Sequence, residues 1–144
     1  TKSYRGRILL LYLIDWGDRE LGFLNDKEHL RVVEYLKRIR GVLATGDFTI
    51  QRNTKNKEFD RKYNLRHETK KDILRSLTVG DCMAVEPNNN PRYPEAEVFV
   101  FIKECYLNVY GEETTVKLYI KTYLREEKRR DLVIVISFHE EGMF

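Results

Sequence analysis

Apolar and polar positions recur with two periods, helical in the first half of the chain and strand-like in the last third. Residues 25–41 follow the helical period, with Asn25 and Glu28 placed as a capping pair and Gly41 suited to end the helix. The predicted buried stripe consists of Leu30, Val33, Leu36 and Ile39, with Val32 and Tyr35 alongside. This pattern predicts a first helix that packs on the core.

A second helix is predicted over about residues 68–77. Its apolar face comprises Ile73, Leu74 and Leu77. A short third helix is expected from Thr78, and the Asn- and Pro-rich residues 86–91 are typical of a long loop. Near the start of the chain, the apolar residues 8–14 predict a buried strand or a short helix.

Alternating strand periodicity begins at residues 98–103 and is clearest at residues 115–124. There one face carries Val116, Leu118, Ile120 and Leu124, and the other carries Lys117, Tyr119, Lys121 and Tyr123. Residues 132–139 are apolar on both faces until their end, as expected of a central strand. Ser137 and His139 then reach the polar face if the helices face Leu132, Ile134, Ile136 and Phe138. The pattern predicts an α+β fold, with two or three N-terminal helices packed on a mainly antiparallel sheet.

The length and composition favour a single domain without metal ions or disulfide bonds. A chain of 144 residues can bury a sufficient core alone. Cys82 and Cys105 lack the spacing of a zinc site or redox motif, so we expect two buried, reduced thiols in a cytoplasmic protein. No apolar run is as long as a membrane span, and no Gly-rich phosphate loop, nucleophile elbow or carboxylate cluster is present. We therefore expect no metal and no cofactor.

Positive charge is concentrated in one stretch, although the net charge is only +3. Residues 52–71 contain eight Lys or Arg against three acidic residues. Such a stretch is either a solvated surface or a contact for a polyanion. In the second case, Arg52, Lys55 and Lys57 are candidate RNA contacts.

The polar face of the predicted strand pair holds the most complete set of reactive groups. It combines Lys117, Tyr119, Lys121 and Tyr123 with His139 at the end of the neighbouring strand. RNA cleavage without a metal needs a proton acceptor, a proton donor and cations for the phosphate, and exposed rings can stack on single-stranded bases. The alternatives are a plain solvated sheet face, a non-catalytic RNA-binding or ribosome-associated module, and an adaptor that binds protein through its tyrosines.

The C-terminal strands also share motifs with a known family. In chain order these are an aromatic-rich strand ending in Lys103, then Leu118-Tyr119-Ile120-Lys121, then Val135-Ile136-Ser137-Phe138-His139-Glu140. Upstream, Lys55-Asn56, the predicted second helix and Leu77-Thr78-x-x-Asp81 fall in the same order. Together they resemble the MqsR-like mRNA interferase toxins of the RelE toxin superfamily. The resemblance spans about residue 30 to the C-terminus and implies one toxin domain with a RelE-like sheet over residues 1–144, with residues 1–25 as an N-terminal extension.

This resemblance implies a type II toxin, an endoribonuclease that cleaves mRNA through attack of the 2′-hydroxyl group without a metal ion. It implies that Tyr119 and Lys121 meet the scissile phosphate and that Lys103 is a further phosphate contact. His139 occupies a position where relatives use lysine or histidine, and acid and base stay unassigned between His139 and Tyr119. The implied partners are mRNA, free or on the ribosome, and a cognate antitoxin protein.

Two features depart from the family pattern. Some relatives carry an aromatic residue and a lysine just after the aspartate that matches Asp81, whereas Cys82, Met83 and Ala84 follow it here. The first sheet strand also lacks a glutamine. Both departures bear on the preferred RNA sequence more than on the type of reaction.

Overall fold

The computed structural model describes residues 24–142. Its elements, in chain order, are α1 (Asp26–Thr45), β1 (Phe48–Ile50), α2 (Thr54–Tyr63), α3 (His67–Arg75), a 3₁₀ turn (Val79–Asp81), β2 (Cys82–Glu86), β3 (Val98–Val109), β4 (Glu112–Arg125) and β5 (Leu132–Glu140). The predicted α+β class is confirmed. The element predicted at residues 8–14 lies outside the described residues, as does nearly all of the expected extension, residues 1–25. Between residues 24 and 142, no helix is both long and apolar enough to cross a membrane.

Helix α1 begins as predicted but ends later. The Asn25 side chain accepts a hydrogen bond from the N–H of Glu28, and the Glu28 side chain accepts one from the N–H of Asn25. The predicted stop at Gly41 is wrong, because the helix continues until the N–H of Gly46 donates to the carbonyl of Val42. Gly41 is an exposed position with open space around it, so nothing there forces the helix to end.

The buried stripe of α1 is rotated relative to the prediction. Its members are Val32, Tyr35, Leu36, Ile39 and Leu43. Leu30, which we expected in the core, is 68% exposed, and Val33 is exposed as well. The helix runs a turn further than predicted, and Leu43 in this added turn joins the buried stripe.

Helix α2 lies inside the basic stretch and is anchored by a few apolar side chains. Phe59 and Tyr63 are buried, and the ring of Phe59 packs edge-on against Phe138 of β5, with centroids 5.7 Å apart. Asn53 caps the helix by accepting a hydrogen bond from the N–H of Asn56. The basic stretch therefore contains α2, a helix with a basic, exposed outer side and a fixed N-terminus, and ends in the first residues of α3.

Helix α3 matches the second predicted helix to within two residues at its end. Ile73 and Leu74 are buried, and Leu77, just beyond the helix, is also buried. The expected third helix is only the single 3₁₀ turn Val79–Asp81. The loop after β2 is present as predicted and extends to the start of β3.

The five strands form one sheet in the order β1-β5-β4-β3-β2. Strand β1 pairs with β5 in parallel, and the other neighbouring strands are antiparallel, so the prediction of a mainly antiparallel sheet is confirmed. All three helices pack on one face of this sheet and share one core with it. The opposite face carries a smaller apolar cluster of Val98, Tyr123 and Ile134, against which Tyr93 and Ala96 from the loop pack.

A β-bulge in β5 interrupts the regular alternation of this sheet. Lys121 of β4 pairs with Ser137, but the next residue, Thr122, pairs with Val135. Ile136 is therefore the extra residue, and it has no partner in β4. Such an insertion shifts the inward and outward pattern by one position.

The bulge corrects our expectation for the faces of β5. The helices do not face Leu132, Ile134 and Ile136. They face Val133 and Val135 before the bulge, and Phe138 after it as predicted. Ser137 and His139 still reach the opposite face, because their partners in β4 also point away from the helices.

Candidate functional site

A cavity of about 580 Å³ opens where the N-terminus of α2 meets β4 and the end of β5. Its wall includes Asn53, the residue before α2, and Thr54 and Lys55, the first two residues of α2. The strands contribute Tyr119, Lys121, Ser137 and His139. We call this space the site cavity, and the sheet face that lines it, opposite the helices, the open face. Four of the residues predicted as catalytic or RNA-binding, Lys55, Tyr119, Lys121 and His139, thus surround one space.

Tyr119 and His139 are cross-strand partners whose rings stack. Their centroids are 5.5 Å apart and their planes differ by 28°. Nδ1 of His139 lies 2.8 Å from the carbonyl oxygen of Glu140. Because a carbonyl oxygen can only accept, Nδ1 must donate, which leaves Nε2 as the proton-accepting nitrogen of the neutral ring. His139 is 6% exposed, so the surrounding protein fixes its orientation.

Lys121 supplies a cation on the same face. Its Nζ lies 3.4 Å from Oε1 of Glu86 at the end of β2, two strands away in the sheet. Both side chains are partly exposed. Ser137, the β5 partner of Lys121, lines the cavity beside it and offers a hydroxyl group. The contact between Lys121 and Glu86 is therefore accessible to solvent. An anion that enters the cavity can compete with Glu86 for Lys121.

The N-terminus of α2 adds a second source of positive potential. Asn53 is the cap residue, and Thr54 and Lys55 are the first two residues of the helix. Helix N-termini favour anions, because their first N–H groups have no partner within the helix and the helix dipole is positive there. This end of α2 therefore complements Lys121 across the cavity.

Two asparagines that join α2 to β5 received no role from the sequence: Asn56 was noted only within the Lys55-Asn56 motif, and Asn53 was not noted. The Nδ2 group of Asn53 donates to the carbonyl of Ile136, and Asn56 bonds to both Ile136 and Phe138. Asn56 is buried, which is uncommon for an amide side chain. An asparagine cap followed by Asn56 just after a short apolar strand was the available signal, but its partners in β5 are distant in sequence.

The structure does not bring Lys103 to this site. Lys103 pairs with Leu118, whose side chain lies in the core beneath the helices, so both stand on the helix-covered face. The Nζ of Lys103 lies 3.6 Å from Asp81 in the 3₁₀ turn. The expectation that Lys103 joins Lys121 as a further phosphate contact of one site is therefore corrected, because the sheet separates the two lysines.

The remaining predicted RNA contacts differ in their accessibility. Tyr123 is 2% exposed within the small apolar cluster. Contrary to the prediction, its ring is therefore not accessible for stacking on a base. Lys117 is exposed on the open face, two residues from Tyr119. Arg52 and Lys57 are exposed near the N-terminus of α2 but do not line the cavity.

Both cysteines are free and buried, as predicted. Burial raises the pKa of the Cys82 thiol to about 11 and also raises the pKa of the Cys105 thiol. Neither is therefore activated as a nucleophile near neutral pH. Among the residues that the structure describes, no three His, Cys, Asp or Glu side chains are arranged to hold a metal ion.

A second cavity, of about 410 Å³, lies between α1 and the loop before β3. Two of its three arginines are paired with carboxylates of the same cavity, Arg31 with Glu97 at 3.0 Å and Arg38 with Glu126 at 2.6 Å, and the third, Arg125, lies 2.6 Å from Glu127. Among the described residues that line it, there is neither a histidine nor a lysine. The site cavity therefore has the richer chemistry for acting on an anion.

Comparisons of the chain with protein-family models, with curated proteins and with solved structures found no match.

Proposed function

We propose that the protein is an endoribonuclease toxin of the MqsR-like, RelE-like type, which cleaves mRNA without a metal ion. One observation carries the proposal: an imidazole, a phenol and two lysines converge on one cavity at a helix N-terminus. These groups provide the proton acceptor, the proton donor and the cations that such cleavage needs. The arrangement of three helices on one face of a mainly antiparallel sheet supports the RelE-like fold that the strand motifs imply.

In the proposed reaction, the 2′-oxygen of the RNA attacks the adjacent phosphorus, and the bond from phosphorus to the 5′-oxygen breaks. Nε2 of His139 accepts the proton of the 2′-hydroxyl group. The hydroxyl group of Tyr119 donates a proton to the leaving 5′-oxygen, and solvent restores both groups afterwards. The products are a 2′,3′-cyclic phosphate, which water can open to a 3′-phosphate, and a free 5′-hydroxyl group.

The cations of the cavity stabilise the charge that builds on the phosphate. Lys121 lies on β4, the strand that carries Tyr119. Lys55 lies at the N-terminal end of α2, on the other side of the cavity. Charge stabilisation of this kind is stronger in a partly enclosed site than in water. Lys121 exchanges its contact with Glu86 for the phosphate, so binding and charge stabilisation depend on the same side chain.

A second candidate function is RNA binding without cleavage. The deep burial of His139, only 6% exposed, favours it, because a proton acceptor must reach the 2′-hydroxyl group. The basic outer side of α2 and the exposed Lys117 serve RNA binding equally well in both candidates. The two functions therefore differ in turnover and not in affinity.

The test is single-turnover cleavage of an end-labelled, single-stranded RNA by the purified protein in the presence of EDTA. We expect cleavage, with a cyclic phosphate or 3′-phosphate on the upstream product. RNA binding without cleavage would favour the second candidate. Cleavage that stops with EDTA and returns with a divalent ion would overturn the metal-independent chemistry.

The toxin assignment has its own test in cells. We expect expression of the protein alone to arrest bacterial growth and degrade mRNA, and co-expression of a cognate antitoxin protein, encoded beside it, to restore growth. Normal growth with soluble, folded protein and intact transcripts would contradict the toxin assignment.

A further inference from the structure

Strand β5 loses its parallel neighbour just before it reaches the site cavity. The pairing of β1 with β5 ends at Ile50 and Val135, and the N–H of Gln51 makes one more hydrogen bond, to the carbonyl of Val135. The chain then turns into α2, whereas β5 continues for five more residues. The backbone groups on that edge of β5 need other partners, because unsatisfied buried polar groups are costly.

Two asparagine side chains take the place of the missing strand. The carbonyl of Ile136 accepts hydrogen bonds from Nδ2 of Asn53 at 2.9 Å and from Nδ2 of Asn56 at 3.0 Å. Oδ1 of Asn56 accepts from the N–H of Phe138 at 2.8 Å, and its Nδ2 also donates to the carbonyl of Gln51 at 2.8 Å. Asn56 is 5% exposed, so water does not substitute easily for these bonds.

These hydrogen bonds hold β5 in place at its bulge. Ile136 is the extra residue that shifts the alternation, and Phe138 lies just beyond it. The bulge determines that Ser137 and His139 turn toward the open face. The same asparagines belong to the first turn of α2, which carries Lys55. One set of hydrogen bonds thus fixes both walls of the cavity relative to each other.

We propose that Asn53 and Asn56 are positioning residues, which hold the β5 bulge and thereby set the orientation of His139 relative to the N-terminus of α2. Neither side chain takes a proton in the reaction. Their role in cleavage rests on the proposed function, because only a reaction at the cavity makes the placement of His139 matter for rate. Displacing a catalytic group by about 1 Å can cost about 100-fold in rate.

Asn53→Ser separates this role from helix capping. Serine keeps a neutral oxygen that can cap α2, but it lacks the Nδ2 donor to Ile136. The matched control is Asn25→Ser, the same change at the N-cap of α1. Asn56→Ala removes all three side-chain hydrogen bonds of Asn56 as a second, more severe variant. Circular dichroism and thermal melting identify the temperature range in which each variant is folded.

The first measurement is independent of catalysis: the ring ¹⁵N shifts of His139 in the RNA-free protein, which has three histidines. We expect these shifts to move in Asn53→Ser and Asn56→Ala and to stay unchanged in Asn25→Ser. Unchanged His139 signals in folded Asn53→Ser would overturn the proposal, even if Asn56→Ala does not fold. If the wild-type protein cleaves no RNA, the proposed function fails, and this measurement alone decides the positioning role.

The second measurement is single-turnover cleavage over a range of protein concentrations. We expect Asn53→Ser to lower the maximal rate by about 10- to 100-fold, with little change in the concentration that gives half of that rate. Asn25→Ser should cleave at close to the wild-type rate. An equal loss in both variants would indicate a general effect on stability and would overturn the specific role of Asn53.

Discussion

Lys103 in β3 and Lys121 in β4 lie on neighbouring strands, yet their side chains lie on opposite faces of the sheet. Each lies near one carboxylate: Lys103 is 3.6 Å from Asp81, and Lys121 is 3.4 Å from Glu86. Lys103 stands on the helix-covered face, whereas Lys121 lines the site cavity on the open face. Strand register, rather than residue type or distance along the chain, therefore decides which of these two lysines lines the site cavity.

The largest effects are expected from substitutions at two adjacent residues of β5 whose side chains lie on opposite faces of the sheet. His139→Ala should lower the single-turnover rate of RNA cleavage by about 10²–10⁴-fold, the range typical of a general acid or base, with little loss of RNA affinity. Phe138→Ala should instead lower the free energy of unfolding by about 3–5 kcal/mol, because its ring is fully buried against α2.

Denaturant unfolding and cleavage assays on both variants test this separation. If His139→Ala cleaves RNA at the wild-type rate, the active-site assignment on the open face fails. If Phe138→Ala keeps full stability, the assignment of the two faces around the bulge is wrong.

The next effect concerns the two lysines themselves. Lys121→Ala should lower the cleavage rate by about 100-fold and also weaken RNA binding, because a cation that holds the phosphate also stabilises its developing charge. Lys103→Ala should leave both within a few-fold of wild type, because the sheet lies between it and the cavity. Cleavage rates and equilibrium binding measure the difference. A loss in Lys103→Ala equal to that in Lys121→Ala would contradict the separation by register and restore Lys103 to the site.

Local signals in the sequence predicted α1, α3, β3, β4 and β5, whereas β1, α2 and β2 were not predicted. The capping pair Asn25 and Glu28 marked the start of α1, and strict alternation placed Tyr119 and Lys121 on one face of β4. Alternation is a local property of strands, so it could be counted along the chain without knowing the pairing. The face of His139 was predicted correctly, because Phe138 and His139 both lie after the bulge and the regular alternation between them is preserved.

Features that depend on distant partners could not be predicted in this way. The bulge at Ile136 is held by side chains from α2 that lie about eighty positions earlier in the chain. The face of Lys103 depends on its register with Leu118 in β4. The burial of Tyr123 depends on the loop that carries Tyr93. Each of these features depends on contacts between segments that are distant in the sequence. The residue pattern within one strand does not indicate such contacts.

A smaller effect should follow from removing the carboxylate beside Lys121. Glu86→Gln removes a competitor for the lysine, so we expect RNA affinity to rise by up to about fivefold, since exposed ion pairs contribute at most about 1 kcal/mol. Glu95→Gln, an exposed change of equal charge outside the cavity, is the control. Binding is measured at two salt concentrations, to remove the general effect of net charge. An equal gain in both variants would mean that Glu86 acts only through net charge.

The smallest effect is expected far from both lysines, where α1 leads into β1. The hydrogen bond from Nε2 of His67, at 2.7 Å, and that from the N–H of Phe48, at 2.8 Å, hold the pKa of Asp47 below its usual value. The Asp47 carboxylate therefore stabilises the fold fully above its unfolded pKa, about 4, and this contribution is lost as the pH falls through the lower folded pKa. Because Asp47 and His67 are about half exposed, the contribution is small.

We expect Asp47→Asn to melt slightly below the wild type at pH 6 and the two melting temperatures to converge as the pH falls below about 4. Asp72→Asn, which removes an exposed carboxylate from α3, controls for the change in net charge. Thermal melting between pH 6 and pH 2.5 measures the three curves. If the wild-type and Asp47→Asn curves stay parallel over that range, the contact of Asp47 with His67 and Phe48 contributes nothing to stability that depends on ionisation of the carboxyl group.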